Sequence, residues 1–213
     1  MKHIPISILL ILLVLYAPDV KSQEVQPSEA AQHLREAVKH NDHRAILEAG
    51  DTGDPTLIPY LRRLASDAEA RNNYNRPSYY AHVALAKLGD KDAINQILSD
   101  VDNESSAIQD RGINKLGLLG GEIALKKLYE LLDDTKPRKN TDCEKMFKEH
   151  NLKYPENQLN PYCDVIYFPR SASAIAALRN LIHDPNVDVY RGALNEADLW
   201  KTYLKKNRLV AEP

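Results

Sequence analysis

Four times along this chain an apolar residue, two polar residues and a second apolar residue recur inside a helical pattern. They are Leu61-Arg62-Arg63-Leu64, Ile94-Asn95-Gln96-Ile97, Leu125-Lys126-Lys127-Leu128 and Leu178-Arg179-Asn180-Leu181. The first three copies start 33 and 31 residues apart, the period of an array of stacked helix pairs. In such an array each unit contacts its neighbours alone, so a ligand meets an extended surface rather than one enclosed pocket. An aspartate follows three of the copies: Asp67, Asp100 and Asp184.

The remaining pattern agrees with an all-α chain. No period-2 strand run interrupts the apolar spacing of three and four residues, and glycine is scarce at 8 of 213 residues. A hydrophobic content of 43% with 27% charged residues fits one soluble domain with a substantial core. The net charge of −2 argues against a general nucleic-acid binder.

The first residues read as an address. Lys2 and His3 precede an apolar run over 4–16, and Val20-Lys21-Ser22 presents small or apolar residues where a signal peptidase reads them. This predicts a secretory signal, residues 1–22, cleaved after Ser22, and a mature domain over 23–213. The run is shorter than the roughly 20 residues a membrane span needs, so no stable membrane insertion is expected after cleavage. Export to a secreted or periplasmic location makes the isolated pair Cys143 and Cys163 read as a disulfide.

Helices are expected over 29–40, 42–49, 54–65, 78–88, 92–98, 105–119, 123–132, 171–183 and 186–207. Asp54-Pro55 marks one start, because Asp caps orphan N–H groups and Pro suits a first turn. Val189, Ala193, Ala197, Trp200 and Leu204 predict the buried face of the last helix. Ala86-Lys87-Leu88-Gly89-Asp90, Ala93-Ile94, Ile97-Leu98-Ser99-Asp100, Asn114-Lys115-Leu116-Gly117 and His183-Asp184-Pro185-Asn186-Val187 together resemble the HEAT-like repeat family. The resemblance covers 42–132 well and 171–204 moderately. It implies an α-solenoid of antiparallel helix pairs, with first helices on the convex face, second helices on the concave face and a capping helix at each end.

From Leu125 to Leu178 the spacing stretches to 53 positions. The surplus falls in a loop insertion, residues 135–169, which carries both cysteines. A bridge between them would add on the order of 3 kcal/mol in the chain-entropy model. Tyr154, Tyr162, Tyr167 and Phe168 stand there among Lys136, Arg138, Lys139, Lys145, Lys148 and Lys153, a composition that suits a binding surface or a loop docked on its own solenoid.

Chemistry is sparse. His33, Glu36 and His40 share one side of a helix and form a weak metal set, with the solvated face of a capping helix as the plainer reading. No His-Glu dipeptide occurs, whereas the di-iron hydroxylases that the HEAT-like resemblance brings in bind metal through such pairs. The chain has no GxSxG, GxxxxGK[ST] or GxGxxG motif, and no cofactor is expected.

The polar pairs of the tetrapeptides are therefore the leading functional feature. Arg62, Arg63, Lys126, Lys127 and Arg179, with Asn95, Gln96 and Asn180, are expected to align as a column able to grip an acidic segment. The reading reached from sequence is a non-enzymatic, exported interaction module that binds a protein or peptide on its concave face. A bilin-lyase-like role, which the resemblance also allows, and a structural spacer in an envelope or extracellular assembly are the alternatives.

Overall fold

Short polar side chains switch on one helix after another. Asp42 accepts a hydrogen bond from the Ala45 N–H at 3.0 Å, Asp90 from that of Ala93 at 3.0 Å, and Ser105 from that of Ile108 at 3.3 Å. Each satisfies a donor that the first helical turn leaves without a partner. The computed structural model describes residues 29–67, 75–136, 168–184 and 195–210, with single positions 73, 138, 145, 148, 149, 187 and 191. Among these the elements are α1 (Glu29–Lys39), α2 (His43–Glu48), α3 (Ile58–Leu64), α4 (Pro77–Lys87) and α5 (Lys91–Val101). They continue with α6 (Ser106–Leu119), α7 (Gly121–Leu131), α8 (Arg170–Leu181) and α9 (Glu196–Lys206). Two 3-10 turns, Ala49–Thr52 and Pro55–Leu57, lead from α2 into α3. The described chain is all-helical, and none of its helices is long and apolar enough to cross a membrane.

Contacts follow chain order. The helices α2, α4, α6 and α8 pack one on the next, while α3 lies on α4, α5 on α4 and α6, α7 on α6 and α8, and α9 on α8. At the N-terminal end α1 packs on α2 and on the turn Pro55–Leu57. Because α4 is flanked by α2, α3, α5 and α6, its sequence is apolar on most sides; Tyr79, Ala81, Val83, Ala84, Leu85 and Ala86 are all buried.

The tetrapeptides divide. Leu61, Ile97, Leu128 and Leu178 are fully buried, whereas Leu64, Ile94, Leu125 and Leu181 are half-buried. The first three copies lie on α3, α5 and α7. The fourth lies on α8, a helix of the α4–α6 row, so it is not their equivalent. Like α3, α5 and α7, the following helix α9 lies against the series α2, α4, α6 and α8, and these four make the second row; α9 buries Trp200 and Leu204 instead. The expected helix 186–207 is likewise interrupted: Arg191 and Asn195 lie in turns and α9 starts at Glu196. Val187, three positions after Asp184, is buried. Capping by Asp90 moves the start of α5 to Lys91, and the helix runs on to Val101 rather than ending at 98.

Two glycines let α6 come close to its neighbours. A Cβ on Gly112 would stand 2.7 Å from the Val101 backbone nitrogen in α5, and one on Gly117 would stand 3.0 Å from the Ala177 Cβ in α8. The α5–α6 approach encloses a charge pair. Lys115 Nζ donates to Asp100 Oδ2 at 2.9 Å, and Gln96 Nε2 donates to Asp100 Oδ1 at 3.0 Å. The two charged side chains are 0% and 5% exposed. From α4, the Tyr79 ring lies 5.3 Å from the ammonium, and the Tyr79 hydroxyl donates to the Arg111 carbonyl at 3.3 Å. Burial pushes the Tyr79 hydroxyl well above the ordinary tyrosine range, so it stays a donor.

Removing one member of such a pair leaves the other charged and dry. Lys115→Met should therefore cost about 3–5 kcal/mol in chemical denaturation, while Lys115→Met combined with Asp100→Leu should recover most of that loss. A cost below about 1 kcal/mol for the single variant would mean the ammonium reaches water.

Candidate functional site

The polar pairs of the tetrapeptides meet two fates. Arg62 Nε donates to Asp90 Oδ2 at 2.8 Å, and Lys127 Nζ donates to Asp102 Oδ2 at 2.8 Å. Arg179 is paired with Glu196 across α8 and α9, and Gln96 orients the buried Asp100. Arg62, Lys127 and Arg179 thus join one helix to the next, and Gln96 acts within α5. Arg63, Asn95, Lys126 and Asn180 instead remain exposed. Arg179 and Asn180 ride on α8 rather than in the second row, so the expected single column of cations does not form from equivalent positions. Lys201 on α9 repeats the behaviour of Lys127. Each reaches back to an aspartate just past the preceding second-row helix, Lys201 to Asp133 and Lys127 to Asp102.

The insertion is fastened at its ends. Arg138 donates through Nε to the Phe168 carbonyl at 2.8 Å, through one terminal nitrogen to Gln109 Oε1 at 2.9 Å, and through the other to Asp110 Oδ1 at 2.6 Å. Ser173 Oγ joins the same carboxylate at 2.8 Å. A rigid guanidinium thus ties the two ends of the insertion to α6 and α8. Arg138, one of the basic residues expected on a binding rim, is an internal clasp with 11% of its side chain exposed. Phe168 is 78% exposed beside it. Tyr154, Tyr162, Tyr167, Cys143 and Cys163 lie outside the described residues.

At the N-terminal end, Lys39 occupies Glu36 at 2.6 Å and holds its carboxyl below the usual range. A break at Asn41 turns the chain before α2, where the His43 ring stacks on Tyr80 with 4.4 Å between centroids. His33 lines an apolar groove with Ala30, Leu34, Ala45 and Leu57. Among the described residues no group of three or more His, Cys, Asp and Glu side chains is placed to hold a metal ion.

The feature that sequence reasoning missed is a groove of about 780 Å³ between α7 and α9. Leu125, Leu209 and Val210 supply its apolar wall, Lys205, Lys206 and Arg208 supply cations, and Glu122 is the carboxylate that lines it. The run Lys205-Lys206-Asn207-Arg208 was its signal, but it reads as an ordinary basic helix end, where cations suit the macrodipole. Its neighbour on α7 was invisible until α9 replaced α8 as the fourth second-row helix. Comparison with known proteins finds no matching family model, no similar curated protein and no matching solved structure.

Asp90 gives the inter-helix pairs a pH signature. Burial alone would raise its carboxyl, but the Ala93 N–H and the Arg62 guanidinium outweigh that and hold it below the ordinary value. A depressed carboxyl contributes stability above the unfolded-state value, about pH 4, and loses it as the pH falls through the lower folded value. Asp90→Asn keeps the cap and removes the charge, so it should cost about 0.5–1 kcal/mol at neutral pH. Its unfolding midpoint should converge with that of the unaltered chain below about pH 4. Equal differences at both pH values would deny the pair its role.

Proposed function

We propose that this chain is an exported, non-enzymatic interaction module, a short HEAT-like α-solenoid over 23–213 that binds an acidic protein or peptide segment. The observation carrying the reading is the two-row packing in chain order. On this reading the second-row helices α3, α5, α7 and α9 offer their outer positions side by side to a ligand. Arg63, Lys126, Lys205 and Lys206 are exposed on those helices. Solvent-facing cations there raise the encounter rate with an acidic partner while contributing little to the fold. Export rests on the leader over 1–22, and the resemblance to HEAT-like repeats supplies the solenoid.

Material recovered from the exported fraction should begin at Gln23, and immobilised protein should retain a partner in a saturable, salt-sensitive way. Lys126→Glu with Arg63→Glu should slow association about tenfold at low salt and leave the unfolding midpoint within about 0.5 kcal/mol of the unaltered value. A partner bound at the unaltered rate by that variant would remove the second-row face from the reading. A partner that binds equally well at high salt would remove acidic recognition.

A further inference from the structure

Three described helices end in the same hydrogen-bonded turn. After α1 the Asp42 and Asn41 N–H groups return to Ala37 and Val38, and after α4 those of Asp90 and Gly89 return to Leu85 and Ala86. After α9 the Leu209 and Arg208 N–H groups return to Leu204 and Lys205, both at 2.9 Å. The turn requires a left-handed residue, and φ is +52° at Asn41, +83° at Gly89 and +55° at Arg208. Asparagine and glycine are the residues that fit this position without strain. Arginine has a Cβ that crowds the following carbonyl there, so the fold gains nothing from it. What Arg208 adds is its guanidinium, on the wall of the α7–α9 groove. Strained backbone that the surroundings hold in place is common where a side chain must meet a ligand.

We infer that the α7–α9 groove seats an acidic peptide segment bearing apolar side chains, a deepening that rests on the interaction-module reading. Leu125, Leu209 and Val210 would take the apolar side chains, and Lys205, Lys206 and Arg208 the carboxylates. Charge complementarity selects this occupant, because among the described residues three cations line the groove against one carboxylate, that of Glu122. No described side chain is paired in an ion pair with Lys205, Lys206 or Arg208, in contrast to Lys127 and Lys201 on the same two helices. The half-buried wall favours a peptide with apolar anchors over a purely charged polymer.

Fluorescence anisotropy on the full mature chain tests this with a labelled glutamate peptide interrupted by two leucines, its all-glutamate counterpart, and anionic phospholipid vesicles. The leucine-bearing peptide should bind about tenfold more tightly than the all-glutamate one. Arg208→Gly should weaken it about tenfold while raising the unfolding midpoint by about 2–4 °C, because glycine relieves the left-handed position. Leu209→Asp should abolish the preference for leucine, and Lys91→Glu, at the exposed start of α5, should leave the affinity within about twofold. Loss of binding with Lys91→Glu equal to that with Arg208→Gly would overturn the groove and leave the wider second-row face standing. Binding of vesicles but of neither peptide would overturn the inference, as would no binding at all; the partner-capture experiment then judges the interaction reading separately.

Discussion

Lys115 and Asp100 form a charge pair where neither reaches water, and three helices close around it. The α5 carboxylate is fixed by Gln96 on its own helix, the α6 ammonium lies near a Tyr79 ring from α4, and Gly112 lets the backbones approach closely enough to shut solvent out. A buried pair is poor as a source of net stability, because desolvation cancels much of the attraction. Its effect is on register. Sliding α6 along α5 by one turn would strand two charges, so the pair admits one alignment of these helices. From that alignment follow the positions of α7 and α8, which pack directly on α6.

Around this centre the chain uses the same device in wetter places. Lys87 meets Asp51, Arg62 meets Asp90, Lys127 meets Asp102, Arg170 bridges Asp102 and Asp134, and Lys201 meets Asp133. In each case a cation reaches an aspartate in or beside a turn on another element. Singly, exposed pairs of this kind contribute at most about 1 kcal/mol. Their arrangement matters more for function, since every cation spent between layers is one fewer available to a ligand. Among the exposed cations that make no described ion pair are Arg63, Lys126, Lys205, Lys206 and Arg208, and three of these gather at one groove.

Helix positions were legible where capping chemistry is local: Asp42, Asp54 and Ser105 sit where helices or turns begin, whereas the Asp90 cap went unread and the start expected at 92 lies at Lys91. Apolar period also located Leu61, Ile97, Leu128 and Leu178 in the core. It could not reveal that Leu178 belongs to the other row, because the insertion between α7 and α8 hides which helix of a pair comes next. That one ambiguity carried Arg179 into the predicted column and left α9 out of it. Ion pairing was equally hidden. Nothing in the string Arg62-Arg63 distinguishes the residue that meets Asp90 from the one that stays exposed, since the partner lies 28 positions away. Arg208 escaped notice because its strain is a property of φ.

An array held by neighbour contacts and centred on one buried pair should lose structure from its ends inward. Native-state hydrogen exchange read helix by helix measures this directly. The account predicts the slowest amides in α4, α5 and α6, with protection falling through α7 and α8 to α9 and, on the other side, through α2 to α1. A single protection level across all helices, or the slowest exchange at either end, would contradict it.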